Sequence, residues 1–210
     1  MRDVKSFYNR LARIYDPLIS GVFTIVAFNE KEYRSKMIHK IAGINCNTVI
    51  IDLGCGTGRN FSLIRSLIGN NKIFGVDISN KMIEIAQKKV EHEGLENIFF
   101  IENDIANWKE ILSEVGDDFV ALSSFTLSVI WANKNAVEGF LKICAQAKYF
   151  SIMDGNWRIG SVPLKGYLTK TLSILFGINN DYWRRTTEDH ISKFIKLVPN
   201  IMFGDMLFIS

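Results

Sequence analysis

The sequence predicts an α/β fold, a doubly wound and mostly parallel sheet with helices on both faces. Two observations carry that prediction. From residue 47 onward, short apolar runs alternate with amphipathic segments, the rhythm of repeated strand-helix units. The first run opens directly into a cluster of three glycines, as a buried parallel strand does when it enters a tight turn. Composition agrees: 210 residues, 48% hydrophobic and 22% charged, are enough for one sizeable core. A single domain over residues 1–210 is expected, with a helical lid (1–40), a sheet core (41–154) and a tail of helices with a terminal hairpin (155–210).

Ahead of the sheet, Val4, Phe7, Tyr8, Leu11, Ile14 and Tyr15 recur at helical spacing, with Arg2, Lys5, Asn9 and Arg13 largely on the other side. They form an amphipathic helix outside the core. Residues 48–53 (TVIIDL) read as the first strand and 61–68 as a helix. Residues 72–77 (KIFGVD) are the second strand; Ser79 caps a helix with Met82, Ile83, Ala86 and Val90 on its apolar face, and Gly94 ends it. Further strands fall at 97–101 (NIFFI), 118–122 (DFVAL) and 149–153 (YFSIM), with helices at about 107–115 and 134–147. In the tail, helical segments at about 163–176 and 186–197 precede two apolar runs, 200–203 and 206–209, which read as a hairpin added to the sheet.

Several classes are excluded. No apolar stretch approaches the roughly 18 to 20 residues that span a bilayer, the longest lying at 19–28, and charges stand where a secretory signal would be apolar. A cytoplasmic location follows as the expectation. Cys46, Cys55 and Cys144 form no C-x-x-C pair, and His39, His92 and His190 show no ligand spacing, so neither a disulfide framework nor a metal site is expected. The net charge of +3 is unevenly distributed: residues 1–40 hold 8 Lys and Arg against 4 Asp and Glu, residues 41–154 hold 10 against 14, and residues 155–210 hold 7 against 4. The basic flanks can attract phosphate-bearing partners or be plain solvated surface.

Chemistry concentrates in Asp52-Leu53-Gly54-Cys55-Gly56-Thr57-Gly58, where glycines at every second position follow a strand and precede a helix. Glycine supplies unusual backbone angles and lets a ligand lie against the main chain, beyond the carboxyl ends of the strands. The NAD fingerprint G-x-G-x-x-G fails, because its third glycine would fall at Arg59, and no P-loop G-K-[ST] occurs. Asp77 ends the second strand 19 residues after Gly58, where a carboxylate can accept from both hydroxyls of a ribose. Asp104, after the third strand, can accept from an exocyclic adenine amino group.

This constellation resembles the class I S-adenosylmethionine-dependent methyltransferases. Their acid followed by G-x-G-x-G matches Asp52, Gly54, Gly56 and Gly58; their ribose acid matches Asp77; their adenine-side acid matches Asp104. The resemblance implies a seven-stranded Rossmann-like sheet of order 3-2-1-4-5-7-6 with strand 7 antiparallel, which the terminal hairpin would complete. It implies S-adenosyl-L-methionine as cofactor, held by Tyr8, Asp52, Gly54, Cys55, Gly56, Thr57, Gly58, Asn60, Asp77, Ile78, Met82, Asp104, Ile105, Ser123 and Ser124, with Phe125 bordering the transfer site. The usual Lys-Pro-Gly-Gly before strand five is replaced by Ala145-Gln146-Ala147-Lys148.

Methyl transfer needs alignment in a water-poor pocket more than it needs a triad or a metal. The candidate catalytic residues are Asp154, at the end of strand five, and Tyr15, from the lid; Asn156 is a further polar candidate. For the acceptor, Tyr15-Asp16 ahead of the glycine loop, Gly56 to Asn60, and Phe125 to Ile130 are similar to the bacterial branch that methylates lipid head groups and quinone precursors. Tyr182-Trp183-Arg184-Arg185 and the apolar stretch 164–178, with Lys165 and Lys170, suit peripheral contact with a phosphate-rich membrane face. Trp131, Trp157 and Tyr15 could surround a methylated ammonium. The expected acceptor is a small molecule or a lipid, with head-group N-methylation ahead of a soluble or quinone-like acceptor, and with cofactor binding without transfer as the reading of another class. No nucleic-acid partner is expected, and the oligomeric state is left open.

Overall fold

Period-two alternation decides which way each central strand faces. In β1 (Val49–Leu53), Ile51 and Leu53 turn to one face of the sheet, while Ile50 and Asp52 turn to the other. A computed structural model of the chain describes residues 3–25, 29–155 and 205–209. The strands are β1, β2 (Ile73–Asp77), β3 (Ile98–Glu102), β4 (Phe119–Ser124), β5 (Phe150–Gly155) and β6 (Asp205–Ile209), in the order β3-β2-β1-β4-β5-β6. Each of the first five lies within about two residues of its expected position. Every described pairing is parallel.

The helices are α1 (Val4–Ile25), α2 (Glu30–His39), α3 (Phe61–Leu67), α4 (Asn80–His92), α5 (Trp108–Val115, after a 3-10 turn at Ile105–Asn107), α6 (Leu127–Ile130) and α7 (Lys134–Gln146). The Ser79 side chain accepts from Met82 N at 3.2 Å and so starts α4; Gly94, at φ +62°, follows its end. On one face of the sheet, Ile51, Leu53, Phe74, Val76 and Phe119 pack against Ile111, Phe140 and Ile143 of α5 and α7. On the other, Ile50, Ile73, Val120 and Leu122 pack against Met37 and Ile38 of α2, Phe61 and Ile64 of α3 and Ala86 of α4. Each fully buried aliphatic or phenyl group contributes about 1.5 to 3 kcal/mol. Close approach matters at Gly139, where a Cβ would stand 2.1 Å from the Ile105 carbonyl oxygen, so α7 lies directly on the 3-10 turn.

One expectation changes. The family pattern places an antiparallel strand 7 of a hairpin beside β5, whereas β6 runs parallel to β5, pairing Ser151 with Asp205 and Asp154 with Phe208. Parallel pairing needs a long crossover connection, and residues 156–204 supply the length. The N-terminal helix also runs on to Ile25 through Pro17. The expectations for Asn156, Trp157, the segments 163–176, 164–178 and 186–197, the cluster Tyr182 to Arg185 and the run 200–203 lie outside the described residues. Among the described residues, no helix is long and apolar enough to cross a membrane.

Candidate functional site

The order β3-β2-β1-β4 reverses direction between β1 and β4, and the carboxyl ends of these strands open a crevice at that switch point. A cavity of about 750 Å³, counting the space open to solvent at its mouth, lies there. Gly54 and Gly56 reach it from the loop after β1, Asp77 and Ile78 from the end of β2, Asp104 and Ile105 from the end of β3, and Ser124 and Phe125 from the end of β4. Val4, Tyr8 and Tyr15 close it from α1, so the N-terminal helix is a wall of the site.

The glycines are required one by one. Gly54, Gly56 and Gly58 have φ of +69°, +53° and +76°, a region that disfavours L side chains. A Cβ on Gly54 would stand 2.1 Å from Thr126 Oγ1, and one on Gly58 2.7 Å from the Phe61 ring. A Cβ on Gly56 would meet nothing within 4 Å. That open space beside the main chain is what a ligand lying against the loop needs.

Asp77 is the best placed acid. Its Oδ2 accepts from Gly56 N at 2.9 Å and its Oδ1 from Ser79 N at 2.8 Å. Burial raises its pKa, against the pull of these backbone N–H groups. Asp104 lies on the cavity wall, with Oδ1 accepting from Ala106 N at 2.9 Å to start the 3-10 turn. Tyr8 and Tyr15 stand with ring centroids 6.1 Å apart. Burial pushes the Tyr15 phenol up to about 12 and the Tyr8 phenol well above its ordinary value, so at neutral pH both are hydrogen-bonding phenols rather than phenolate bases. Asp77, Asp104 and the two tyrosines are the ionisable groups among the described lining residues, and no Lys, Arg or His joins them.

Beneath the loop lies a polar network that the sequence did not announce. Arg34 of α2 is only 7% exposed; its Nε donates to Glu30 Oε1 at 2.7 Å, and its Nη1 to Asn60 Oδ1 and Ser124 Oγ, each at 2.6 Å. Asn60 Nδ2 donates to both oxygens of Asp52 at 3.0 Å. Burial pushes the Asp52 carboxyl up to about 7, opposed by Asn60 and by the charge of Arg34. Asp52 therefore organises the loop from below.

Of the expected cofactor residues, Tyr8, Gly54, Gly56, Asp77, Ile78, Met82, Asp104, Ile105 and Ser124 line the cavity, as does Tyr15. The other expected residues do not. Cys55 is buried in the core against Phe61, Thr57 Oγ1 donates to Asp16 Oδ1 at 2.6 Å, and Ser123 Oγ donates to the Leu53 carbonyl at 3.0 Å. Asn60 and Asp52 belong to the network below, and Gly58 packs on Phe61. Asp154 is fully buried, its Oδ2 accepting from Ser128 N at 2.9 Å. It holds the start of α6 and is not among the lining residues. Residues that sequence reasoning missed include Asn103, Thr126, Val129 and Asn133 on the wall. Phe125 adopts φ +59° and stacks at 5.5 Å on Phe23 of α1. Among the described residues, no cluster of His, Cys, Asp and Glu could hold a metal ion.

Residues 44–173 match a family model described as a methyltransferase domain. The demethylmenaquinone methyltransferase of Lactococcus lactis is 30% identical over 103 residues, 48% of this chain and 39% of that protein. Carboxy-S-adenosyl-L-methionine synthase 1 of Yersinia pseudotuberculosis is 30% identical over 127 residues, 56% of this chain and 47% of that protein. The matches thus span less than half the length of either relative. Among solved structures, phosphoethanolamine N-methyltransferase 2 of Haemonchus contortus, in complex with S-adenosyl-L-methionine, aligns with a TM-score of 0.62 over 95% of this chain and 44% of that one. At 15% identity, that likeness is one of fold.

Proposed function

The chain belongs to the methyltransferase-domain family, and from that membership we propose that it is an S-adenosylmethionine-dependent methyltransferase acting on the amine of a lipid head group. The observation that carries the first half is the convergence of Gly56, Asp77 and Asp104 on one cavity at the ends of three adjacent strands. When bound, the cofactor supplies an electrophilic methyl group on a sulfonium. Asp77 would hold the ribose, since its carboxylate is fixed by the backbone N–H groups of Gly56 and Ser79 and stands on the cavity wall. Asp104 and Ile105 would border the adenine, and Gly56 leaves the main chain open to the methionine end. The residues of α1 exclude water and align the acceptor, an effect that can supply about 7 to 11 kcal/mol.

The acceptor reading rests on the character of the wall. Tyr8, Tyr15 and Phe125 present rings, and no described cation lines the cavity, which suits an ammonium or a neutral amine. An ordinary primary ammonium titrates at about 10, so it must lose a proton before attack. On the outer face of α1, Ile14 is 57% and Leu18 39% exposed beside the exposed Arg10 and Arg13, a combination that supports contact with an anionic interface. A second reading, a quinone-like or other small acceptor, is favoured by the apolar side of the same wall, Val4, Ile105, Val129 and Ile130, and by the Lactococcus lactis relative. The reading of another class, cofactor binding without transfer, is selected by binding with no turnover.

The test is transfer of labelled methyl from S-adenosylmethionine to a total lipid extract and, separately, to a soluble metabolite extract. Label in a phospholipid amine is expected. Label confined to quinone precursors or to the soluble fraction overturns the head-group reading, and cofactor binding with no label in either overturns transfer.

A further inference from the structure

We infer that Asp16 is a positioning residue that locks α1 over the cavity and ties the closure of this lid to the glycine loop. The coupling half of the inference rests on the cofactor reading above.

Tyr15 and Asp16 are consecutive on a helix, so their side chains diverge by about 100°. Tyr15 lines the cavity; Asp16 turns to the loop beside it. Its Oδ1 accepts from Thr57 Oγ1 at 2.6 Å and from Arg59 Nη1 at 3.1 Å, and its Oδ2 from Lys89 Nζ at 3.0 Å. These donors come from three segments: the glycine loop, the turn into α3, and α4. Arg59 is held in turn by Glu30 of α2, through Nε to Oε1 at 3.0 Å and through Nη2 to Oε2. One carboxylate thus joins α1 to the loop and, directly or through Arg59, to α2 and α4. Burial opposes its charge, but the hydrogen bonds from Thr57, Lys89 and Arg59 outweigh that and hold its carboxyl below the ordinary value.

A second attachment lies two turns earlier. Asn9 Oδ1 accepts from Ser79 Oγ at 2.7 Å, and Ser79 is the residue whose N–H Asp77 holds. The lid is therefore pinned at Thr57, next to Gly56, and at Ser79, two residues after Asp77. Two further attachments lie at the exposed surface: Arg59 Nη2 donates to Ser20 Oγ at 3.2 Å, and Lys5 pairs with Glu102 at 2.7 Å, nearly half exposed at both partners, which contributes little. Both strong attachments fall on the segments that would hold the cofactor. Ordering those segments and docking the lid must then favour each other, because the coupling is reciprocal.

The test compares wild type, Asp16→Asn and Thr57→Val by hydrogen exchange over residues 4–15 in ligand-free protein, and by calorimetric affinity for S-adenosylmethionine. Asp16→Asn should speed exchange of the α1 amides about tenfold, with β1 and β4 unchanged, and should weaken cofactor affinity about tenfold. Thr57→Val should do both in smaller measure, and Thr57→Ser, which keeps the hydroxyl, should restore wild-type behaviour. Unchanged exchange in Asp16→Asn overturns the lock whatever the affinity. Faster exchange with unchanged affinity overturns the coupling. Should wild type bind no S-adenosylmethionine, the cofactor reading fails and the coupling with it, while exchange still decides whether Asp16 holds the lid. Should Asp16→Asn not fold, Thr57→Val carries the same comparison.

Discussion

Gly56 donates its backbone N–H to Asp77 Oδ2 at 2.9 Å, so the glycine loop and the end of β2 hold each other at the cavity wall. The same carboxylate fixes the start of α4 through Ser79 N–H. It therefore has two tasks in the proposed reading: it shapes the loop, and from the cavity wall it would accept from the ribose.

Removing it should cost both tasks. Asp77→Ala is expected to weaken S-adenosylmethionine binding about 100-fold, since hydrogen bonds to a charged group contribute about 1.5 to 3 kcal/mol each. Calorimetric titration reads the affinity, and circular dichroism with thermal melting shows whether the fold persists. Unchanged affinity in a folded variant removes Asp77 from ribose recognition.

Gly54 and Gly56 should separate stability from binding. At Gly54, alanine meets Thr126 Oγ1 at 2.1 Å and must also hold φ +69°. Overpacking costs about 1 to 3 kcal/mol and the left-handed backbone about 1 to 2 more, so Gly54→Ala should destabilise by about 2 to 5 kcal/mol in urea unfolding. At Gly56 the space is open, and Gly56→Val bears only the backbone strain. Its branched side chain enters the cavity instead, and cofactor binding should be lost while the fold survives. The reverse pattern, with Gly56→Val unfolded and Gly54→Ala merely failing to bind, would show that the loop faces the other way.

Sequence periodicity exposed what is repetitive. The apolar runs TVIIDL and KIFGVD placed β1 and β2 within a residue, and Ser79 and Gly94 bounded α4, because each of these signals is local. The orientation of side chains within the loop is not local. Cys55, Thr57 and Asn60 sit inside the motif yet turn to the core, to Asp16 and to Asp52, which spacing alone does not reveal. Arg34 lay hidden for a related reason: EKEYRSKMIH is dense in charge and carries no motif, and only the folded chain brings its guanidinium to Asn60 and Ser124. Asp154 ends its strand much as Asp77 does, but α6 follows β4 and covers that end. The parallel direction of β6 depends on a connection whose path no local pattern encodes.

The Asp52 carboxyl makes stability pH-dependent with an unusual sign. Its folded value, about 7, lies above the 3.8 of an ordinary Asp, so between the two the folded protein holds a proton that the unfolded chain has released. Stability from this group is then lost as pH rises through that window; the full penalty is present above about 7 and absent below about 3.8. Asp52→Asn cannot ionise. Its stability relative to wild type should rise by about 3 kcal/mol between pH 5 and pH 8, because each tenfold change in a protonation equilibrium corresponds to roughly 1.4 kcal/mol. Urea denaturation of both proteins at the two pH values measures it, and a pH-independent difference would mean that Asp52 ionises normally in the fold.

Asp154 is where structural and chemical roles can be told apart. It is fully buried, and its Oδ2 takes the N–H of Ser128, a residue only 1% exposed. The Ser128 hydroxyl has no hydrogen-bond partner among the described residues. Asp154→Ala therefore leaves a second buried polar group of Ser128 unsatisfied, and such a group costs about 1 to 3 kcal/mol. Asp154→Asn keeps an acceptor oxygen in place and should restore much of that stability. A general base contributes about 10² to 10⁴ in rate, and an amide cannot replace it. The expected pattern is that Asp154→Asn melts near wild type and keeps turnover within about tenfold, while Asp154→Ala is destabilised. A loss of 100-fold or more in kcat for Asp154→Asn, at unchanged melting temperature, would instead give this carboxylate the proton-accepting role and require that α6 move aside to let the acceptor reach it.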